Sequence, residues 1–131
     1  MKPIHDAMEL LSDLNMGHHD RQTADMLRNG TIIVEALSYI RGRSIPNQYM
    51  IIDEAQNLTP LEAKTIVTRV GGGTKIIFTG DPSQIDNPYV DRKSNGFNYL
   101  VNQFRDQPLA AHVELIKGER SALAELAADL L

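Results

Sequence analysis

Two short apolar runs in this chain each end abruptly in acidic and amide residues, and this arrangement constrains the fold more than any other feature. The first run, Met50–Ile52, is followed directly by Asp53–Gln56, and the second, which ends at Phe78, is followed by Thr79–Gln84. Consecutive apolar side chains are typical of a buried strand in a parallel sheet. Polar groups after such strands lie at the carboxyl edge, where open α/β sheets bind ligands. The sequence therefore predicts an α/β fold with a polar crevice at that edge.

The residue types at these strand ends are typical of a nucleoside-triphosphate site. Asp53, Glu54, Asp81 and Gln84 would face one crevice, where acids serve Mg²⁺ and a water molecule and an amide contacts the γ-phosphate. An alternative for the first two residues is structural, because acidic side chains also favour the N-terminus of a following helix. The second polar cluster makes the nucleotide site the preferred interpretation.

A nucleotide site of this kind also needs a phosphate cradle of the form G-x-x-x-x-G-K-[ST]. The 131 residues contain no such run. The nearest approach is Gly71–Lys75, whose lysine is not followed by a serine or threonine that opens a helix. Because these glycines follow a predicted helix and precede a predicted strand, we interpret them as a helix stop and a turn.

Composition narrows the class of protein. A chain of 131 residues fits one domain, and its formal charge of −4 gives no global basic field for nucleic acid. Zero cysteines exclude disulfides and cysteine-based metal sites. The apolar runs are too short to cross a bilayer, and the N-terminus lacks a signal-peptide pattern. We therefore expect a cytoplasmic protein without a membrane partner.

Strand and helix patterns alternate along the chain, as in parallel βαβ units. A helix start is predicted at Thr59–Glu62, where Thr is the N-cap, Pro takes the first helical position and Glu completes a capping box. Four strands are few for a sheet covered on both faces, so we expect an incomplete domain. The predicted strands are 31–34, 49–52, 75–78 and 112–116, and the predicted helical segments are 3–15, 20–28, 36–40, 59–70, 97–104 and 123–130.

The two motifs together resemble those of the PhoH-like family of ATPases, which are relatives of superfamily 1 helicases. Residues 51–57 contain the D-E-A-Q Walker B box, and residues 79–86 contain the G-D-x-x-Q third motif. Glu35–Pro46 and Lys117–Ser121 are similar to further segments of that family. The resemblance covers most of the chain, and it implies a P-loop NTPase (RecA-like) parallel sheet flanked by helices.

The resemblance also implies what accompanies this segment. The family's Walker A segment lies upstream of the residues present here, so residues 1–131 are expected to be the C-terminal portion of a PhoH-like ATPase domain, as a single domain. The parent protein is expected to use ATP and Mg²⁺, to act on RNA and to form a ring-like homo-oligomer. Its missing parts would be the N-terminal ATPase half and a PIN nuclease domain.

Four polar residues of the two motifs receive roles in this interpretation. Asp53 would hold Mg²⁺, usually through water, because a hard divalent cation prefers oxygen ligands. Glu54 would orient or deprotonate the attacking water. The amides of Gln56 and Gln84 can contact phosphate or water without adding charge, although an exposed loop position explains Gln56 equally well.

Three further residues are candidates for the same site. Thr79 would sense phosphate or satisfy backbone groups at the strand end, and Asp81 would bind metal through water or cap backbone N–H groups of its loop. By resemblance, Arg120 would act as an arginine finger, in cis or across a subunit boundary. The alternative for Arg120 is a surface ion pair with Glu119 or Asp129.

Two basic loops are candidates for contact with RNA phosphates. Arg41 and Arg43 flank a glycine near Tyr39, and Arg92 lies near Tyr89, so each loop has a tyrosine on which a base could stack. Short basic loops are more often simply solvated, and a surface role is therefore the alternative for both.

A competing hypothesis treats the chain as a non-catalytic module. Because Walker A is absent from the 131 residues, the RecA-like half-sheet would serve as an interaction or assembly surface and would be inactive on its own. The acidic crevice would then bind a metal ion or nothing.

Overall fold

The structure is a computed structural model that describes residues 25–116 together with residues 121, 123, 126 and 127. It divides the chain into two compact units, residues 1–43 and residues 44–131. Within the described residues, no helix is long and apolar enough to cross a membrane. Three predicted helices lie wholly or partly outside the described residues: 3–15, 20–28 and 123–130. Of these helices, residues 25–28, 123, 126 and 127 are described, and they are helical.

In the first unit, the helical residues 25–28 stop at Asn29 and Gly30, as predicted. Gly30 has a φ of 76°, the left-handed conformation that commonly closes a helix. The helical turn predicted at 36–40 is confirmed as a 3-10 helix at Leu37–Ile40.

The predicted strand at residues 31–34 is wrong, because backbone groups of this run close the preceding helix instead. The backbone N–H and the hydroxyl of Thr31 both donate to Asn29 Oδ1, at 3.0 and 2.7 Å. Ile32 N donates to Met26 O at 2.9 Å. Two of the four N–H groups of the predicted strand, those of Thr31 and Ile32, are therefore already engaged.

The second unit contains a parallel pair of strands, β1 at Tyr49–Ile52 and β2 at Lys75–Phe78. Both strands were predicted with these bounds, and both are confirmed. The register pairs the first residues of the two strands with each other and pairs Ile52 with Phe78. The two strands therefore end at the same level of the same edge, which is the geometry that the predicted crevice requires.

Helix α1, Pro60–Val67, begins with the predicted capping box. Glu62 N donates to Thr59 Oγ1 at 3.2 Å, and Thr59 N donates to Glu62 Oε2 at 2.9 Å. The helix ends earlier than the predicted residue 70, because Val70 forms a parallel bridge with Ile45. A β-branched residue at that position suits an extended conformation.

The interpretation of Gly71–Lys75 as a turn is confirmed, but its role as the helix stop is wrong, because α1 already ends at Val67 with Thr68 as its C-cap. Residues 72 and 73 form a turn between α1 and β2. A Cβ added at Gly71 would lie 2.9 Å from both N and Cα of Pro46, so this glycine permits a close approach of two backbone segments. The glycines thus position β2 against the chain that leads into β1.

Helix α2, Gly96–Phe104, confirms the predicted helix 97–104 and packs against α1. Gly96 N donates to Leu58 O at 2.6 Å, and a Cβ added at Gly96 would lie 2.8 Å from Thr59 O. The start of α2 therefore packs against the start of α1 only because residue 96 has no side chain. Among the described residues of the second unit, the buried apolar side chains are Ile52, Ala55, Leu58, Ala63, Ile66 and Leu100.

The predicted strand at residues 112–116 is wrong. Residues 111–116, called the irregular segment below, have no regular secondary structure, and none of them forms a hydrogen bond with any described residue. Val113, Leu115 and Ile116 are all exposed. The apolar pattern of a strand is present, but the described chain offers it no ladder partner. The fold is therefore a small α/β arrangement of a two-stranded parallel sheet with helices, as the predicted class requires.

Candidate functional site

The two polar clusters that follow the strands meet directly at the sheet edge. Thr79 N donates to Ile52 O and Ala55 N donates to Thr79 O, both at 2.9 Å, so backbone pairing continues past the ends of β1 and β2. The hydroxyl of Thr79 donates to Asp53 Oδ1 at 2.7 Å. Asp53 and Thr79 are both exposed. The predicted proximity of the two motifs is thus present at the level of individual atoms.

Glu54 has an unusual backbone conformation. Its φ of 54° and ψ of 37° are left-handed, a region that non-glycine residues adopt rarely and at a cost of about 1 kcal/mol. The chain turns sharply there, and the Glu54 side chain is exposed at the edge beside Asp53. Strained positions of this kind are concentrated at functional sites, where surrounding contacts hold them in place.

Gln56 is fully buried and connects the acidic turn (residues 53–57) with the amide loop (residues 80–84). Its Nε2 donates to Glu54 Oε2 at 2.6 Å and to Gln84 O at 2.8 Å. Its Oε1 accepts from Asp81 N at 3.1 Å. One side chain therefore links the carboxylate of the first motif to the backbone of the second at two points.

The orientation of the Gln56 amide follows from chemistry. Its nitrogen faces a carboxylate and a carbonyl, which can only accept, and its oxygen faces an N–H, which can only donate. Both N–H groups of Gln56 are therefore engaged within the chain. The sequence predicts Gln56 as a contact for phosphate or water or as an exposed loop residue. The exposed position is wrong, because Gln56 lies in the interior and connects the two motifs.

Asp81 organises the amide loop from within. Its Oδ1 accepts from Ser83 N at 2.8 Å and from Ser83 Oγ at 2.6 Å, and its Oδ2 accepts from Gln84 Nε2 at 2.5 Å. These bonds match the capping role that was one of the two predicted for Asp81. They also leave the Gln84 side chain exposed with its direction fixed by a charged partner.

Gly80 allows the acidic turn and the amide loop to touch. A Cβ added at Gly80 would lie 2.6 Å from Gln56 Oε1, 3.2 Å from Gln56 N and 3.3 Å from Ala55 N. The contact at 2.6 Å would force the buried Gln56 amide to shift, and the two backbone contacts would be tight. The glycine of the G-D-x-x-Q pattern is therefore favoured by close packing against the D-E-A-Q turn.

The described residues suit Mg²⁺ that is shared with a phosphate ligand better than a metal enclosed by protein. Among them, no group of three or more histidine, cysteine, aspartate or glutamate side chains could hold a metal ion. Asp53 offers one exposed carboxylate, of which Oδ1 is oriented by Thr79. Mg²⁺ usually keeps several waters and takes one or two carboxylates together with substrate phosphates, so this donor set fits it.

Sequence reasoning missed the role of two asparagines that extend the connection. Asn57 Oδ1 accepts from Asp86 N at 2.8 Å and from Asn87 N at 3.0 Å. In return, Asn87 Nδ2 donates to Asn57 O at 2.7 Å. The Asn87-Pro88 dipeptide is a turn signal that could have indicated one of them, because asparagine side chains bond nearby backbone in turns.

The predicted arginines differ in their surroundings. Arg43 forms an ion pair with Glu35, with a distance of 3.1 Å between Nη1 and Oε2. Arg41 and Arg92 are exposed. Arg120 lies outside the described residues, so its predicted role as an arginine finger stays a prediction.

Comparison with known proteins gives a consistent result. Residues 1–129 match the family model described as PhoH-like protein. The chain is 56% identical over 131 residues to Protein PhoH2 of Bacillus subtilis (strain 168), which covers 100% of this chain and 29% of that protein. It is 36% identical over 107 residues to Protein PhoH2 of Mycolicibacterium smegmatis, covering 82% of this chain and 24% of that protein.

A PhoH-like protein of Bacillus subtilis (strain 168) is 42% identical over 88 residues, covering 67% of this chain and 26% of that protein. The chain therefore spans less than a third of the length of these curated relatives.

Proposed function

This chain belongs to the PhoH-like protein family, and we propose that it supplies the magnesium-binding and water-activating side of an ATP hydrolysis site. Family membership and the P-loop NTPase type of its motifs support the use of ATP and Mg²⁺. The observation that carries the proposal is the meeting of Asp53, Glu54 and Thr79 at one sheet edge, with Gln56 joining their turn to the loop that bears Gln84.

Asp53 is the proposed magnesium ligand. Its Oδ1 is held by the Thr79 hydroxyl, and its Oδ2 forms no hydrogen bond with any described residue. An oriented carboxylate with one uncommitted oxygen is suited to bind the water shell of a hard cation. When bound, Mg²⁺ would neutralise charge on the β- and γ-phosphates.

Glu54 is the proposed general base. The left-handed backbone at Glu54 and the hydrogen bond from Gln56 Nε2 to Oε2 fix the carboxylate at the exposed edge. The second carboxylate oxygen remains to accept a proton from a water molecule. A fixed base raises the rate because the water no longer has to be oriented in the transition state.

Gln84 is the proposed amide that contacts water or the γ-phosphate. Its Nε2 donates one hydrogen to Asp81 Oδ2, which orients the exposed side chain. A second N–H and the Oε1 atom remain for a ligand. Because Gln84 O also accepts from Gln56, a shift of the amide loop would reach the carboxylate of Glu54.

The whole protein is proposed to be an ATP-dependent enzyme that acts on RNA, with helicase-type action as a ring-like homo-oligomer and with Arg120 near the phosphates. These proposals come from the family resemblance. No G-x-x-x-x-G-K-[ST] run occurs in the 131 residues, and the proposal therefore assigns the phosphate cradle to another segment of the whole protein.

The test replaces the matching 131 residues of Bacillus subtilis PhoH2 with this chain, so that a protein of family length carries the site. In this chimera, Glu54→Gln should lower the turnover of Mg²⁺-ATP by roughly 10²- to 10⁴-fold while nucleotide binding persists, because only the proton acceptor is lost. Glu114→Gln is the matched control, since Glu114 is exposed in the irregular segment. Equal turnover in both variants would refute the proposal.

A second candidate function is a non-catalytic interaction or assembly module. It is favoured by the missing cradle sequence alone. A chimera that folds and assembles like unmodified Bacillus subtilis PhoH2 but binds no nucleotide would support this candidate over the hydrolytic one.

A further inference from the structure

We propose that the tyrosine loop, residues 88–93, is a contact for single-stranded RNA in which Tyr89 stacks on a base and Arg92 and Lys93 contact phosphates. This inference rests on the proposed action on RNA, and it adds the position on the molecule at which the RNA is bound. It does not require an intact ATP site.

Tyr89 is presented to solvent by a braced turn. Its side chain is 87% exposed, although a tyrosine ring gains free energy from burial. Tyr89 N donates to Asn87 Oδ1 at 3.0 Å, and Val90 N donates to Asn87 O at 3.3 Å. Because the backbone on both sides of the ring is fixed, stacking there would order little additional chain.

The tip of the loop is closed by Asp91. Its Oδ1 accepts from Lys93 N and from Ser94 N, both at 2.7 Å. The hydrogen bond from Ser94, and then that from Lys93, hold the pKa of Asp91 below its ordinary value of 3.8. The one carboxylate inside the loop therefore accepts from backbone N–H groups and also attracts the Lys93 ammonium, while Arg92 and Lys93 are both exposed.

Arg92 is anchored through its backbone, and its side chain is left available. Asn95 is fully buried, and its Nδ2 donates to Arg92 O at 3.2 Å and to Asp91 O at 2.9 Å. Asn98 Nδ2 also donates to Arg92 O, at 2.6 Å. The exposed guanidinium of Arg92 forms no hydrogen bond or ion pair with any described residue.

The other basic loop lacks this combination. Arg43 is held by Glu35 in the ion pair at 3.1 Å, so its charge is already partnered. Tyr39 is 68% exposed and lies within the short 3-10 helix Leu37–Ile40, where its N–H donates to Ala36 O at 3.0 Å. In the tyrosine loop, by contrast, neither Arg92 nor Lys93 forms an ion pair at salt-bridge distance with a described residue, although Lys93 and Asp91 attract each other.

The tyrosine loop is also bonded to the proposed catalytic turn. Asn57, the residue after Gln56, accepts from Asp86 N and Asn87 N, and Asn87 in turn holds the backbone of Tyr89. Tyr89 is thus connected to the turn that carries Glu54 through two hydrogen bonds, with Asn87 between them. RNA bound there is expected to change the rate of ATP hydrolysis in the family-length protein.

The experiment measures binding of fluorescein-labelled oligouridylate by anisotropy, without ATP, to the 131-residue chain and to the chimera with Bacillus subtilis PhoH2. Tyr89→Ala should weaken binding by roughly 5- to 100-fold, the range expected for one lost stacking contact, and Tyr89→Phe should bind like the unmodified protein. Tyr39→Ala is the matched control and should bind unchanged. Circular dichroism and urea unfolding confirm that each variant is folded.

The contribution of the two cationic side chains is tested separately, by measuring how RNA affinity depends on salt concentration. Arg92→Gln and Lys93→Gln should each reduce the slope of log affinity against log salt by about 0.7, the value for one lost phosphate contact on a single strand. Arg105→Gln removes an exposed arginine outside the loop and should leave the slope unchanged. Oligothymidylate and duplex RNA, run in parallel, separate RNA from single-stranded DNA and from duplex binding.

The outcomes separate this inference from the proposed function. Glu54→Gln should bind oligouridylate normally while losing ATP turnover. If Tyr89→Ala binds as tightly as the unmodified protein, or if the unmodified protein binds no single strand, the RNA contact is disproved and the ATP site is unaffected. If Tyr89→Phe is as weak as Tyr89→Ala, stacking is not the interaction.

Discussion

The sheet edge and the irregular segment differ in what holds them. At the edge, the segments that follow β1 and β2 are joined by the buried amide of Gln56, by the bond from the Thr79 hydroxyl to Asp53 and by two backbone bonds of Thr79. The irregular segment, residues 111–116, has the apolar pattern of a strand but forms no hydrogen bond with any described residue. Polar contacts within the chain therefore fix the conformation of the sheet edge. The apolar pattern of the irregular segment does not by itself fix a conformation there.

The difference follows from what each pattern needs. A strand requires a neighbour for its backbone N–H and C=O groups, and that neighbour can lie anywhere in a protein. The side chain of Gln56 finds all its partners within residues 54–84, so its environment is complete in this chain. We therefore expect substitutions at the edge to cost stability and substitutions in the irregular segment to cost little.

The largest effect is expected for Gln56→Glu. The new carboxylate would lie beside the Glu54 carboxylate and the Gln84 carbonyl, in a buried position with no counter-charge. At about pH 8 the cost should be roughly 3–5 kcal/mol, the range for an uncompensated buried charge, and it should shrink near pH 5 as the group takes up a proton. Urea unfolding measures both values, and Gln48→Glu, at an exposed position, is the control.

The next effect is expected for Gly80→Ala. The added methyl group would overlap Gln56 Oε1 and press on the backbone N–H of Gln56 and Ala55, so a loss of about 1–3 kcal/mol is expected. Gly72→Ala is the matched control, because a Cβ there meets nothing within 4 Å. If the two variants have the same urea midpoint, the acidic turn and the amide loop do not touch as described.

A smaller, pH-dependent effect is expected from Asp91. Its pKa in the folded chain is lowered by hydrogen bonds from Ser94 N and Lys93 N, so its contribution to stability is present above its unfolded pKa. That contribution is lost as the pH falls through the lower, folded pKa. An NMR titration of the Asp91 carboxyl should give a midpoint below 3.8, and a midpoint at or above that value would show that the turn at the loop tip is not formed.

The smallest effect is expected in the irregular segment. Leu115→Ser removes an exposed leucine side chain and should change the free energy of unfolding by no more than about 0.5 kcal/mol. Ile66→Ala, at a buried position of α1, should cost about 2–5 kcal/mol in the same assay. A large loss for Leu115→Ser would mean that the segment packs within this chain and that the comparison fails.

The sequence predicted those elements whose signals are local. The bounds of β1 and β2, the capping box at Thr59 and the helix predicted at 97–104 depend on nearby residues, and all agree with the structure to within one residue. The prediction of a strand at 31–34 is wrong because the N–H of Thr31 donates to the side chain of Asn29. The apolar pattern of a sequence does not indicate a side-chain interaction of this kind. The strand predicted at 112–116 failed because a strand needs a partner.

For the site, the sequence predicted that Asp53, Glu54, Asp81 and Gln84 lie at one edge of the sheet. In the structure, these four residues follow the two strand ends at that edge. It did not reveal that Gln56 is buried, because burial of a polar side chain depends on partners from both motifs. The asparagines that brace the loops were also missed, since their hydrogen bonds join residues separated by about thirty positions.

The central claim is that one buried amide joins two strand ends into a preassembled site. Amide hydrogen exchange on the 131-residue chain tests it most directly, because Asp81 N donates to Gln56 Oε1. The amide of Asp81 should be protected while those of Val113 and Leu115 exchange freely, and Gln56→Leu should speed exchange at Asp81 by on the order of fivefold or more. An Asp81 amide that exchanges as fast as Val113, or that is unaffected by Gln56→Leu, would contradict the account.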